Sequence, residues 1–271
     1  TSTQPPSPIF FAMRLSISST SLARSPDKRS GDPRPLIVID PGHGGPDTGT
    51  KAGGGEIMEK NVVLDFSIAL RDQLEKSGRY RVVMTRTDDT FIPLAERVKF
   101  ARSRQAQLFI SIHADALPKS EGDVQGATVY TLSETASDAE AAKLAEAENR
   151  SDVIAGIDLA KEPDDVADIL FDLAHRETKT FSHAFARVLV REMKTAMRLH
   201  RKPLKSAGFV VLKAPDVPSV LVELGYMTNK SDLKLLTSDS WRTKAAANMA
   251  QAVEQFFRTR LAGTEAVSPR R

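Results

Sequence analysis

A chain of 271 residues with 41% hydrophobic and 27% charged residues has the composition of an ordinary globular protein, with room for one large buried core but not for two full domains. Its 38 Lys and Arg exceed its 35 Asp and Glu by only three, and the basic residues are interspersed with acids, which argues against nucleic acid as a partner and leaves a mild attraction to anionic polymers. The absence of cysteine excludes disulfides and thiolate zinc sites, and no apolar run reaches the length of a membrane span.

Residues 1–35 are rich in Pro, Ser and Arg and lack a sustained period, so they read as a linker or the tail of a missing N-terminal domain. The chain starts at Thr1, and PIFFAMRL is too short and too poorly flanked for a signal peptide, which reads as a mature or trimmed product. The folded core begins near Pro35. Strands are expected at 36–40, 80–85, 107–112, 127–131, 208–212 and 219–223, and amphipathic helices at 59–76, 93–104, 178–199 and 239–261. That alternation predicts the α/β class: a single domain over 36–262 with a mostly parallel, twisted sheet of about six strands, flanked by helices on both faces. One stretch departs from it. Residues 133–177 are acidic and Ala-rich, break at Lys161-Glu162-Pro163, and resume a helical pattern with Val166, Ile169, Leu170 and Leu173, as a helical insertion would. Residues 263–271 read as a disordered C-terminal tail.

Two histidines carry the chemistry. His43 ends the run LIVIDPGHGG and His113 ends LFISIHAD, beside Asp115. A continuous aliphatic run is the pattern of a strand buried on both faces, and open α/β folds bind ligands at the carboxyl ends of parallel strands, so the two imidazoles are expected at one site. Glu59, in GEIMEKNVVL, opens a helical pattern just after a Gly-rich loop and brings a carboxylate to the same end, although Glu56 competes for that role. Two imidazoles and a carboxylate form a zinc set that leaves one position open for water. Glu223 closes the apolar run SVLVE; a carboxylate there is costly to bury without a use, and general base is the natural one. Simpler readings exist for each. PGHGGPDTG could cradle a phosphate, but it lacks both the Lys-Ser/Thr of a P-loop and the spacing of a dinucleotide fingerprint. His113 alone could be a hydrogen-bonded structural histidine, and Glu59 could simply favour the positive end of a helix dipole. His175, His183 and His200 lie in helical or basic stretches suited to solvated or packing roles.

IDPGHGG, MEKNVVLDFS, TRTDDTFIPLAERVKFA, SIHADA and PSVLVELGYMTN, in that order from about Leu36 to Arg260, together resemble the zinc-dependent N-acetylmuramoyl-L-alanine amidases of bacterial cell walls. The resemblance implies zinc as cofactor, His43, Glu59 and His113 as its ligands, Glu223 as the catalytic glutamate, and peptidoglycan as substrate. It also favours Glu59 over Glu56, because the family's ligand directly precedes the Lys of its EK pair. The insertion, with KLAEAENRSDVIAGIDL, looks like the regulatory insert of the periplasmic cell-division amidases, which covers the zinc until an activator of the LytM-domain type removes it. Those relatives usually carry an N-terminal targeting domain, which residues 1–35 do not match.

Glu146 and Glu148 compete to reach the zinc from that insertion. Glu146 has Lys143 and Arg150 at helical spacing, which suits a solvated face, whereas Glu148 follows Leu144 and Ala145 on the apolar side. Glu148 is therefore expected to occupy the open zinc position, with the helix 164–174 as the plug's second arm. Asp152, one turn on, would repel Glu148 unless a cation lay nearby. Two rival functions remain: a catalytically silent peptidoglycan-binding module, which should have lost a ligand or the base, and a zinc peptidase acting on another amide. Release of free stem peptides from purified sacculi separates all three.

Overall fold

The computed structural model describes residues 32–114, 116, 124–157 and 169–265, with side chains of 169–174 and 260–265 left out. Asp115, the break at Lys161-Glu162-Pro163, residues 164–168 of the expected second arm, and most of the expected N- and C-terminal tails lie outside them.

In chain order the elements are β1 (Leu36–Pro41), the two-residue strands β2 (Lys51–Ala52) and β3 (Ile57–Met58), α1 (Glu59–Lys76), β4 (Arg81–Met84), α2 (Leu94–Ser103), β5 (Leu108–His113), β6 (Ala127–Leu132), α3 (Ala139–Glu148), α4 (Ser151–Ile154), α5 (Ile169–Met193), β7 (Leu199–Ala207), β8 (Ser219–Glu223), α6 (Lys230–Leu236) and α7 (Asp239–Glu265). Six of the strands form one sheet in the order β4-β1-β5-β8-β6-β7. All neighbours run parallel except β6 and β8.

Alternation along each strand sorts the core into two faces. Ile37, Ile39, Ile110, Val220 and Val222 point to one side, where α1, α5 and α7 bring Phe66, Leu70, Phe185, Leu189, Met249 and Val253. Val38, Phe109, Tyr130 and Leu221 point to the other, covered by Leu94 and Ala101 of α2 and by Ala141, Leu144 and Ala145 of α3. By the same two-residue period Asp40, His113 and Glu223 also face α2 and α3. The sequence-expected helical insertion is thus the cover of the site-bearing face.

The remaining differences have local causes. Residues 208–212, expected as a strand, hold a single 3-10 turn at Val210–Leu212 whose Val211 and Leu212 are buried. The strand itself lies earlier, as β7, where LHRKPLKSA gives no apolar signal because it is a sheet edge carrying Pro203 and alternating with exposed basic residues. The helix expected at 178–199 instead ends at Met193 and begins at Ile169, so the second pattern of the insertion, where described, is the first turns of α5 rather than a separate arm. α7 continues three residues beyond 262, to Glu265.

Candidate metal centre

His43 sits in the loop leaving β1, in the left-handed region at φ 60. Such a conformation costs a non-glycine residue energy, and here a set of buried cations pins it. Arg97 donates to Pro41 O at 2.7 Å and His43 O at 2.8 Å, and pairs with Asp40 at 2.8 Å. Arg86 donates to Gly42 O at 2.7 Å and Lys60 O at 2.8 Å, tying the loop to the first turn of α1. Asp40 also accepts from Thr85 and Ser111, so the cage reaches β4 and β5. Burial and the adjacent Arg97 pull the Arg86 guanidinium down to about 10. Two glycines make room. A Cβ at Gly42 would lie 2.4 Å from the His113 ring, and one at Gly49, whose φ is +59, would lie 2.6 Å from Glu59 Oε2. The Gly-rich loop therefore packs directly against His113 and Glu59.

Glu59 is the first residue of α1 and fully buried. Its Oε2 accepts from Thr50 N at 2.9 Å and its Oε1 from Ala114 N at 2.8 Å, which fixes the carboxylate between the loop and the end of β5. Oε1 lies 3.0 Å from His43 Nε2 and 3.5 Å from His113 Nδ1. His43, Glu59 and His113 each offer a donor atom within 4.8 Å of the others, so the group is able to hold a metal ion. Glu56, the competitor, is exposed.

The chemistry of the donors fits a cation. His43 Nε2 and His113 Nδ1 are buried and make no well-directed hydrogen bond, a costly condition that a metal would relieve. Burial alone would lower the His43 pKa, but Glu59, Glu148 and the hydrogen bond donated to Asp47 outweigh it and push it up to about 10. His113 is likewise raised well above its ordinary value, against burial, by Glu148 and Glu59. Glu59, also against burial, is held well below the usual carboxylate range by the two imidazoles.

Glu148, the last residue of α3, is buried with Oε2 3.1 Å from His113 Nδ1 and 3.8 Å from His43 Nε2. Glu146 is exposed. Asp152 does not face Glu148: its Oδ1 accepts from Leu94 N at 2.9 Å, at the positive N-terminus of α2, so no extra cation is needed. Glu223 is fully buried at the end of β8, in register with His113 on β5 and Thr128 on β6, one strand spacing from the donor set. His200 is buried rather than solvated, whereas His183 is exposed beside Thr131.

Sequence reasoning missed the groups that hold the donors. Asp47 accepts from His43 Nδ1 at 2.9 Å, turning Nε2 toward the site, and its carboxyl is held down at about 2, against the effect of burial, by that contact and by Ser151. Ser151 donates to the same Asp47 oxygen from α4. An acid four residues after a strand-end histidine was a usable signal for Asp47. Arg86 and Arg97 were visible only as unassigned letters of TRTDDTFIPLAERVKFA.

A mixed but mostly parallel sheet that carries a buried His-Glu-His group able to hold a metal at its strand ends, with the Glu148 carboxylate beside it, defines the class of this α/β protein. The N-acetylmuramoyl-L-alanine amidase family matches residues 37–255, and the chain belongs to it. It is 38% identical over 227 residues to N-acetylmuramoyl-L-alanine amidase AmiC of Neisseria meningitidis, covering 83% of this chain and 53% of that protein. It is 40% identical over 231 residues to AmiA of Escherichia coli, covering 85% and 78%. AmiC2 of Nostoc punctiforme superposes with a TM-score of 0.60 at 26% identity, over 84% of this chain and 99% of that one. The chain spans about half the length of the AmiC relatives it matches. Among the described residues no helix is long and apolar enough to cross a membrane.

Proposed function

We propose that this chain is a zinc-dependent peptidoglycan amidase, cutting the amide between N-acetylmuramic acid and L-alanine of the stem peptide, and that α3 holds it inactive. The observation that carries this reading is the Glu148 carboxylate within 3.1 Å of His113 Nδ1, at a donor set able to hold a metal ion. Two imidazoles and one carboxylate suit zinc, which when bound polarises a water and the scissile carbonyl.

The chain's own residues do the rest. His43, Glu59 and His113 hold the cation, and Asp47 fixes the His43 ring by accepting from Nδ1. Glu223 takes a proton from the attacking water as its oxygen bonds to the lactyl carbonyl carbon, then delivers it to the alanine nitrogen as the C–N bond breaks. Its products are a lactyl carboxylate and a free amine. Glu148 excludes both water and substrate while α3 is docked.

Release needs a partner, and an activator of the LytM-domain type bound to the insertion fits. Val153 and Ile154 on α4 are 52% and 60% exposed, an apolar handle directly after the plug. The setting this implies is the periplasm during daughter-cell separation. Purified sacculi incubated with the zinc-loaded chain and with a Glu148→Ala variant test the reading. Stem peptides beginning with L-alanine should be released, and faster by the variant; their absence from both digests overturns it.

A further inference from the structure

The opposite end of α3 is held by a second buried polar cluster that the metal chemistry does not use. In the first turn of α3 Glu140 accepts from Tyr226 Oη at 3.0 Å on Oε1, while Lys205 Nζ lies 2.7 Å from Oε2 and 3.5 Å from Asp138. His200 Nε2 lies 3.8 Å from the same Oε2. Lys205, His200 and Tyr226 are all buried, at 3%, 7% and 1% exposure, and all belong to the sheet and its connections rather than to α3. When α3 lifts, both carboxylates leave and the cation and its two companions stay.

That cluster is continuous with the catalytic glutamate. Lys205 pairs with Tyr130 across β7 and β6, and Thr128, two residues before Tyr130, pairs with Glu223. Tyr226 follows Glu223 by three residues. Burial, with Tyr226, Glu223 and Glu140 near, pushes the Tyr130 phenol well above its ordinary value, so it stays neutral. A buried ammonium is expensive to keep without an anion, and Glu140 meets it with both oxygens engaged, one by a phenol and one by the ammonium, which is how a carboxylate is recognised.

We propose that Lys205, Tyr226 and His200 form a carboxylate subsite for the peptide substrate, occupied in the resting chain by Glu140. α3 would then imitate the substrate at two points, with Glu148 at the metal donors and Glu140 at the subsite. Eight helical residues separate them, about 12 Å. Three to four extended residues span that distance, so the carboxylate recognised belongs to the stem peptide beyond L-alanine and not to the sugar. This rests on the amidase reading above.

The test uses the full zinc-loaded chain carrying Glu140→Ala and Glu148→Ala, with two synthetic muramoyl peptides: one with free carboxylates beyond L-alanine, one with those carboxylates amidated. The free acid should be preferred by about 10- to 100-fold in kcat/KM, mostly through KM, the range of one charge-assisted contact. Adding Lys205→Met should erase the preference and Lys205→Arg should keep most of it. Equal cleavage of both peptides by the Lys205 chain overturns the subsite, and this comparison stands even where Lys205→Met fails to fold. A Lys205→Met loss that is equal for both peptides also overturns it, leaving the Glu140 pair as an anchor of α3 alone. Cleavage of neither peptide overturns the amidase reading and the subsite with it.

Discussion

The two sides of the metal centre are built differently. His43, Glu59 and His113 issue from β1, α1 and β5, whose backbones are bonded into the sheet or its covering helix, and Arg86, Arg97 and Asp40 lock the loop between them. Glu148 reaches the same point from α3, which adds only Ala141, Leu144 and Ala145 to the core, a leucine's burial contributing about 2 kcal/mol. Polar contacts do the remaining work: Glu140 with Lys205, Asn149 with Gly208 and Val210, Ser151 with Asp47, Asp152 with Leu94. Each is worth roughly 1 kcal/mol net, so the hold on α3 is below about 10 kcal/mol and lies within the binding energy of an ordinary protein partner. On the reading proposed above, a fixed wall and a removable one meet at one candidate cation site.

The largest effect should come from breaking the fixed wall. His43→Ala with His113→Ala should abolish zinc retention, measured by elemental analysis against about one zinc per chain in the parent, and reduce sacculus hydrolysis to background. Stoichiometric zinc in that double variant would mean the donors lie elsewhere. Glu223→Gln should be next, keeping its zinc while turnover falls by roughly two to four orders of magnitude; metal loss would make Glu223 a ligand.

On the removable side, Glu148→Ala should raise hydrolysis by about 10- to 100-fold without an activator, the range of one contact to a charged group. Glu146→Ala should change little, since that side chain is exposed. Activation by Glu146→Ala alone would reverse the assignment of faces.

Proton linkage distinguishes the metal-free from the loaded wall. With its pKa at about 10 when folded and 6.5 unfolded, His43 contributes stability to the metal-free chain that is complete below pH 6.5 and lost as pH rises toward 10. Zinc requires the neutral ring, so binding at pH 7 expels that proton and affinity climbs about tenfold per pH unit for each proton displaced. Calorimetry in two buffers of different ionisation enthalpy should register the release; identical heats would place a neutral His43 in the metal-free chain.

The fixed wall was far more legible in the sequence than the removable one. His43, His113 and Glu223 each end an aliphatic run, and such runs in α/β proteins are buried strands, so their positions at one end of the sheet were readable. β7 was invisible because an edge strand has no apolar face to announce, and it carries Lys205 and His200. Helix spacing separated Glu148 from Glu146, yet it misjudged Asp152, whose partner is the N-terminus of α2, fifty-eight residues away. Contacts of that kind depend on tertiary placement. Arg86 and Arg97 were missed for the same reason, since most of their partners are backbone carbonyls that no side-chain pattern records.

The smallest expected effect lies where the two walls touch. Asp47 accepts from His43 Nδ1 on one side and from Ser151 on the other, through the same oxygen. Ser151→Ala removes one neutral donor to a carboxylate, which should shift α3 toward release by about 5- to 10-fold and raise hydrolysis correspondingly. Asp152→Ala removes the contact at the α2 N-terminus and should do about the same or less. If Ser151 serves only the removable wall, adding Ser151→Ala to the Glu148→Ala chain should leave zinc affinity and turnover unchanged, whereas Asp47→Asn in that background should weaken zinc by about 10- to 100-fold. Should Ser151→Ala weaken zinc in the released chain as Asp47→Asn does, the serine orients the ligand through Asp47, and the fixed wall extends into the insertion.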